Sequence, residues 1–179
     1  MSIQQAVQGN ITTLSSLKDL LNQITDPLYI LWFQKPGCSI GQQVRHALEH
    51  YQLLFNGLES SRICYDDRER DPLIEQSVDV ALSVVDSLIS KLISMENSAD
   101  KMLSVACATG QEKCSTVQTE TSLTRELLFI QNHTIHHLAI IAILLHNQSV
   151  TVPDDFGVAP ATLQFRPHSN ANCSSTGSE

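Results

Sequence analysis

Basic residues are scarce in this chain. Lys and Arg number 11 against 19 Asp and Glu, which gives a formal net charge of −8. Surfaces that bind nucleic acid or anionic lipid need clustered Lys and Arg to displace counterions. The composition therefore argues against nucleic acid and membrane lipid as partners, although it leaves room for a local basic site.

Aromatic residues are also few, at 5% of the chain, while hydrophobic residues as a whole make up 42% of the 179 residues. This balance is typical of a globular protein and not of a wholly disordered one. The length suits one domain that buries a substantial core.

An export signal and long apolar runs are both missing. No N-terminal segment combines a basic start, an apolar stretch and a small-residue cleavage site, so we expect a cytoplasmic protein. The run from Leu138 to Leu145 is too short to cross a bilayer, which takes roughly 20 apolar residues. It predicts a core helix, and we expect no membrane association.

Paired cysteine motifs are absent. The five cysteines are odd in number and match neither a zinc ribbon nor a CxxC motif. In a reducing compartment we expect free thiols. Cys107 and Cys114 flank "ATGQEK" and could face each other across a hairpin, but a working disulfide there is not expected in the cytoplasm.

Apolar residues at helical spacing predict four long helices. The second begins at Ser39, which forms a capping-box signature with Gln42, and the fourth begins after Thr121 or Ser122. Asp26 and Pro27 end the first helix. The predicted spans are about 3–24, 40–58, 73–93 and 123–147.

The segment "MLSVACATGQEKCSTVQT" has β-branched and small residues on both sides of a glycine-containing turn, which predicts a short hairpin. The sequence therefore predicts an all-α fold, an up-and-down four-helix bundle with a short β-hairpin inserted before the last helix. We expect a single domain over residues 1–166 and a disordered tail over 167–179.

Histidines interrupt the apolar part of the fourth helix, in "FIQNHTIHHLAIIAILLH". A buried imidazole needs partners for its ring nitrogens. Residues four apart share a helix face, so His133 and His137 can converge on one atom. His137 falls within the apolar stripe, His133 on its flank, and His136 outside it. Two inward imidazoles one turn apart are a common beginning of a divalent-metal site.

A third ligand is needed, because Zn²⁺ or Ni²⁺ requires at least three protein ligands when one position stays open. The second helix offers His46 and His50 in "VRHALEHY". A helical wheel places both on the polar side of the apolar stripe and favours His50 weakly. Two alternatives stay open, namely core histidines bonded to backbone carbonyls and histidine pairs on a solvated face.

Three charged residues are further candidates. Glu126 shares a face with His133 and could orient a ligand from outside the coordination sphere, although an exposed glutamate is the alternative. Arg45 and Arg125 could bind an anionic substrate group through paired hydrogen bonds, and each is more commonly a surface or salt-bridging residue. The run "DDRERD" is typical of a solvated face or an ion-pair network.

The segments "SIGQQVRHALEH" and "SLTRELLFIQNHTIHHLAII" resemble the DinB-like family of four-helix-bundle metalloproteins. In that family one ligand comes from a histidine of the second helix and two from an HxxxH pair of the last. The resemblance covers the chain to about Arg166. It implies His46, His133 and His137 as the ligands, which favours His46 over His50. His50 and His136 then become candidates for supporting the ligands or lining a pocket.

The resemblance also implies a divalent ion, Zn or Ni, together with a homodimer and a small-molecule substrate. Some members are thiol transferases that use a low-molecular-weight thiol, and many have no established activity. Two functional classes remain open: a metal-dependent thiol S-transferase or hydrolase, and a non-catalytic metal-binding or stress-response protein of the same fold. A cleft beside the histidines would favour the enzyme, and an ion sealed in the core would favour the structural role.

Overall fold

Four long helices form the framework of the fold. The computed structural model describes residues 3–110 and 116–166. The long helices are α1 (Ile3–Leu21), α3 (Ile40–Gly57), α5 (Val78–Ser94) and α6 (Leu123–His146). Both α1 and α3 pack against α5 and α6. The shorter elements are α2 (Asp26–Tyr29), β1 (Arg62–Cys64), α4 (Pro72–Gln76), β2 (Met102–Ala108), β3 (Thr116–Ser122) and α7 (Pro160–Phe165).

The all-α prediction is wrong, because the chain also forms a three-stranded mixed sheet of order β1-β2-β3. The hairpin β2–β3 precedes α6, but β1 adds a parallel edge, with Ile63 opposite Val105. Strand β1 has three residues, of which only Ile63 is buried. So short a strand gives no alternating pattern, and a parallel partner is chosen by tertiary contacts.

A glycine allows β1 to approach helix α3. A Cβ on Gly57 would lie 2.3 Å from the carbonyl oxygen of Arg62, far inside van der Waals contact. The chain can therefore turn from the end of α3 directly into β1. The position of β1 in turn sets where the charged connector between β1 and α4 begins. Arg68 of this connector contacts His46.

Side chains cap the starts of three of the long helices, α3, α5 and α6. Ser39 forms the predicted capping box with Gln42 at the start of α3, and Ser122 caps α6. The predicted third helix is broken at Ser77, whose extended backbone separates α4 from α5 and whose side chain caps α5. Asp26 was expected to end a helix; it lies in the first turn of the short helix α2 and accepts a hydrogen bond from Val78 N.

A buried polar network fixes α3 against α6. Asn10 of α1 is fully buried and donates to the carbonyl of Leu127 at 2.9 Å. Tyr51 of α3 donates to Oδ1 of Asn10 at 2.8 Å. Because buried polar groups that lose a partner cost free energy, this network holds α1, α3 and α6 in one register. The histidines of α3 and α6 are thereby placed opposite each other.

Helix α6 covers the span predicted for the fourth helix, and its apolar part extends beyond the run Leu138–Leu145. Its 24 residues reach a mean hydropathy of 1.5 over an 18-residue window, enough to cross a membrane by length and composition alone. Core helices meet the same criterion, so this observation is weak evidence, and α6 packs here against α1 and α3. The absence of membrane association stays a prediction.

Two other predictions fall outside the described residues. Cys114 lies in the segment 111–115, so its proximity to Cys107 stays a prediction. The expected disorder of 167–179 also lies outside the described part of the chain. Within the described part, the residues just before this tail form the short helix α7, Pro160–Phe165.

Candidate metal centre

Four histidines from two helices meet at one place. His46 and His50 come from α3, and His133 and His137 come from α6. Nε2 of His133 lies 3.0 Å from Nε2 of His46 and 3.2 Å from Nε2 of His137. One ring nitrogen each of His46, His50 and His133 lie within 4.8 Å of one another. Three histidines are therefore close enough to bind one metal ion.

The separations suit a shared coordination sphere. Two nitrogens bound to one ion at about 2.1 Å lie about 3.0 Å apart at a right angle and about 3.4 Å apart at a tetrahedral angle. The Nε2 separations of 3.0 and 3.2 Å around His133 fall in this range.

Two of the histidines have their tautomers set by oxygen acceptors. Nδ1 of His50 donates to the carbonyl of His46 at 2.8 Å, and Nδ1 of His137 donates to Oε1 of Gln43 at 2.6 Å. A neutral imidazole with its proton on Nδ1 has its lone pair on Nε2. Both rings therefore offer Nε2 as a ligand. Their Nδ1 is held by a hydrogen bond to an oxygen, which is the usual arrangement in metal-binding histidines.

His46 has a different partner, since its Nδ1 accepts a hydrogen bond from Nη1 of Arg68. Its own proton is then on Nε2 and points toward His133. The same Nε2 of His133 also faces Nε2 of His137. One ring nitrogen has one lone pair, so hydrogen bonds between neutral rings cannot satisfy both contacts. A cation bound by the three nitrogens would satisfy them together.

The cluster strongly disfavours protonation. Burial, followed by the charge of neighbouring histidines, lowers the pKa of His46 to about 3 and that of His137 to about 3. Burial and His50 lower the pKa of His133 to about 4. Burial also lowers the pKa of His50. These rings are therefore neutral at pH 7, the form in which imidazole binds metals.

Charged side chains surround the α3 half of the site. Glu49 is 2% exposed, and Arg45 and Arg68 approach its carboxylate to 4.0 and 3.9 Å without a hydrogen bond. Arg45 also approaches Glu75 to 3.0 Å. Arg45 therefore belongs to a largely buried ion-pair network, which corresponds to the salt-bridging alternative and not to substrate binding.

Aromatic rings cover the side of the cluster that faces the sheet. Tyr65 stacks on His50 with ring centroids 5.3 Å apart, and Phe129 stacks on His133 at 5.8 Å. The hydroxyl of Tyr65 donates to Glu126 at 2.9 Å. Burial and the nearby Glu126 raise the pKa of Tyr65, so the phenol keeps its proton.

The structure brings His46, His133 and His137 together, as the resemblance implies, and adds His50, which the helical wheel favoured. His136 is exposed, with its ring 5.4 Å from that of His137. Glu126 is buried and not exposed, and its described bonds go to Tyr65, Thr121 and Arg125 and not to a histidine. It can support the histidines only through the ring of Tyr65.

Four residues that contact the histidines were missed in the sequence: Gln43, Tyr65, Arg68 and Phe129. Gln43 could have been found, because residues 43, 46 and 50 follow the i, i+3, i+7 spacing of one helix face. Arg68 has no comparable signal. It comes from a connector whose path depends on where β1 pairs, so a solvated charged run was the reasonable prediction.

Comparison of the chain with models of protein families, with curated proteins and with solved structures found no match in any of the three. The resemblance to the DinB-like family therefore stays a prediction that depends on the histidine motifs. The geometry of the four histidines is the remaining indication of function.

Proposed function

We propose that the protein binds one divalent metal ion through this histidine cluster and is a metal-dependent enzyme acting on a small molecule. The observation that carries the proposal is that one ring nitrogen each of His46, His50 and His133 lie within 4.8 Å of one another, with Nε2 of His137 3.2 Å from Nε2 of His133. Neutral imidazoles as the donor set favour zinc or nickel over calcium or magnesium, which prefer oxygen.

Two ligand sets share His46 and His133. The third ligand is His137 if the DinB-like resemblance holds, and His50 if the group of ring nitrogens within 4.8 Å of one another is the site. The hydrogen bond from His137 to Gln43 and that from His50 to the His46 carbonyl orient both rings equally well. We favour His137, because its Nε2 already lies 3.2 Å from that of His133.

The residues of the chain would have distinct tasks. A bound ion supplies a water or thiol of lowered pKa as nucleophile at neutral pH. The imidazoles hold their positions without changing charge, and Gln43 fixes one ring. Tyr65 and Phe129 shield the cluster from water on the sheet side. His46 and His133 are only half-buried, so the site is not sealed inside the core.

This partial exposure supports an enzyme over a purely structural ion. The resemblance points to a thiol S-transferase with a low-molecular-weight thiol, or to a hydrolase. The alternative is a non-catalytic metal-binding or stress-response protein. A homodimer and a cytoplasmic location are further parts of the proposal that depend on the sequence alone.

A reaction screen of the metal-loaded protein separates the two classes. Thiol transfer to electrophilic acceptors and hydrolysis of activated esters and amides are followed for the wild type, His133→Ala and His136→Ala. We expect turnover that His133→Ala abolishes and His136→Ala preserves, because His136 is exposed on the same helix. Activity that survives in His133→Ala would contradict a metal-dependent reaction at this centre.

A further inference from the structure

A pocket lies beside the histidine cluster, between the hairpin β2–β3 and the first turns of α6. Its volume is about 260 Å³, and its walls include Tyr65, Val105, Cys107, Arg125, Glu126 and Phe129. A volume of this order suits a small molecule and is too small for a folded protein segment. The pocket combines an apolar floor with a few polar groups, the usual composition of a ligand site.

The pocket and the histidines share two aromatic rings. Tyr65 lines the pocket and stacks on His50 at 5.3 Å between centroids. Phe129 lines the pocket and stacks on His133 at 5.8 Å. One ring therefore separates a molecule in the pocket from the candidate ligands, so the molecule would lie within about 10 Å of a metal bound there.

Arg125 is the pocket's cation. Its guanidinium lies 5.4 Å from the ring centroid of Phe129, and its side chain is 63% exposed. Its contact with Glu126 is a single long hydrogen bond of 3.4 Å. A guanidinium has five N–H donors in a planar fork, so the contact with Glu126 uses only one of them.

The carboxylate of Glu126 does not compete strongly for this cation. Neutral donors already satisfy it, because Tyr65 donates to one oxygen at 2.9 Å and Thr121 to the other at 2.8 Å. Glu120 also borders the pocket, but it is exposed to solvent. A small anion can therefore pair with Arg125 without displacing a fully formed ion pair.

We propose that this pocket binds a small carboxylate with a flat apolar body, its carboxylate on Arg125 and its body between Phe129 and Val105. The inference extends the proposed function, because such a molecule would be the substrate presented to the metal centre. Binding would be non-covalent. Burial and the nearby Asp66 raise the pKa of the Cys107 thiol, which keeps it protonated and weakly nucleophilic at neutral pH.

Three probes of one shape test the charge that the pocket prefers: phenylacetate, phenylacetamide and phenethylamine. Dissociation constants are measured by NMR titration on the metal-free protein. We expect phenylacetate to bind at least about tenfold more tightly than either other probe, a ratio that corresponds to one charge-assisted contact. Equal binding of the three, or a preference for the amine, would overturn the proposal.

Arg125→Ala is the variant and Lys91→Ala its matched control. Lys91 of α5 also lies 5.4 Å over a phenylalanine ring, that of Phe55, and borders no part of this pocket. Arg125→Ala should weaken phenylacetate binding about tenfold and leave phenylacetamide unchanged, whereas Lys91→Ala should change neither. Circular dichroism confirms that both variants fold. An unchanged phenylacetate affinity in Arg125→Ala would contradict the assignment.

The position of the pocket is tested with manganese. Protein loaded with Mn²⁺ should strongly relax the protons of bound phenylacetate, and protein loaded with Zn²⁺ should not. Absence of this relaxation in protein that does hold manganese would overturn the link between pocket and centre. If the protein binds no metal at all, the proposed function fails, while the measurements on metal-free protein still decide the carboxylate site.

Discussion

Arg68 donates a hydrogen bond from Nη1 to Nδ1 of His46. This contact gives His46 the tautomer with its proton on Nε2, the nitrogen that faces His133 at 3.0 Å. Ligation of a metal through Nε2 needs the opposite tautomer. Arg68 in this position therefore competes with a metal ion, both through the proton and through its positive charge.

Removing this competitor should tighten metal binding. Arg68→Gln takes away a unit charge about 7 Å from the expected ion, a distance at which such charges repel by about 1 to 2 kcal/mol in a partly solvated site. We expect zinc affinity to rise about five- to thirtyfold in a competition titration with a chromophoric chelator. Arg70→Gln, at an exposed position two residues away, should leave it unchanged.

Weaker zinc binding in Arg68→Gln would point to a different role for Arg68, through the buried carboxylate of Glu49. Nη1 of Arg68 also lies 3.9 Å from the buried carboxylate of Glu49, which has no hydrogen-bond partner among the described residues. If Arg68→Gln weakened zinc binding, Arg68 would be needed to neutralise Glu49 beside the site. The competition described above would then be refuted.

Single substitutions should identify the third ligand. His46→Ala and His133→Ala remove a ligand from both possible sets, so each should abolish zinc binding at micromolar concentration. His137→Ala should do the same, and His50→Ala should reduce affinity less than His46→Ala. These affinities are measured by calorimetry. If His50→Ala proved more damaging than His46→Ala, the helical wheel would be right and the family resemblance wrong.

Gln43 should act as a positioning residue. Its Oε1 accepts the Nδ1 proton of His137 at 2.6 Å, which fixes the ring and its tautomer. Loss of such a partner typically costs ten- to a hundredfold in metal affinity, so we expect Gln43→Ala to lose about tenfold. Gln43→Glu keeps an acceptor and should restore the affinity. A Gln43→Ala protein with wild-type affinity would show that His137 is not a ligand or needs no support.

Acid should unfold the metal-free protein by protonating the cluster. In the unfolded chain the histidines have pKa values of about 6.5, against about 3 to 4 for His46, His133 and His137 in the folded state. The unfolded state therefore binds more protons below pH 6.5. The free energy of unfolding is therefore highest above that pH, and it falls as the pH drops from about 6.5 toward the folded pKa values of about 4 and 3.

Urea unfolding at pH 7.5, 6 and 5 measures this slope. The midpoint should fall with acidification in the wild type and in His136→Ala, whose imidazole is exposed. It should fall less in His133→Ala, because one buried titrating group is gone. Equal slopes in His133→Ala and the wild type would refute the claim that the cluster controls acid stability.

The sequence predicted which histidines lie close together better than it predicted the fold. The spacing of His133 and His137 alone places them on one helix face, and Ser39 with Gln42 marks the start of the helix that carries His46. These are local signals that need no tertiary knowledge. Both His46 and His50 reach the cluster, so the wheel and the resemblance each identified residues that the structure places there.

What was missed depends on long-range pairing. Strand β1 is defined by its parallel register with β2, and three residues cannot show a pattern. Its pairing in turn directs the connector that carries Arg68 to His46. The break at Ser77 was hidden because apolar residues continue at helical spacing through it, and the cap that Asp26 provides to Val78 comes from a distant segment.

The central claim is tested most directly by counting metal ions. Protein equilibrated with zinc and freed of excess by gel filtration is analysed by inductively coupled plasma mass spectrometry, beside His133→Ala and His136→Ala. Three converging imidazoles predict about one zinc per chain in the wild type and in His136→Ala, and close to none in His133→Ala. A wild-type protein that retains no more zinc than His133→Ala would contradict the account.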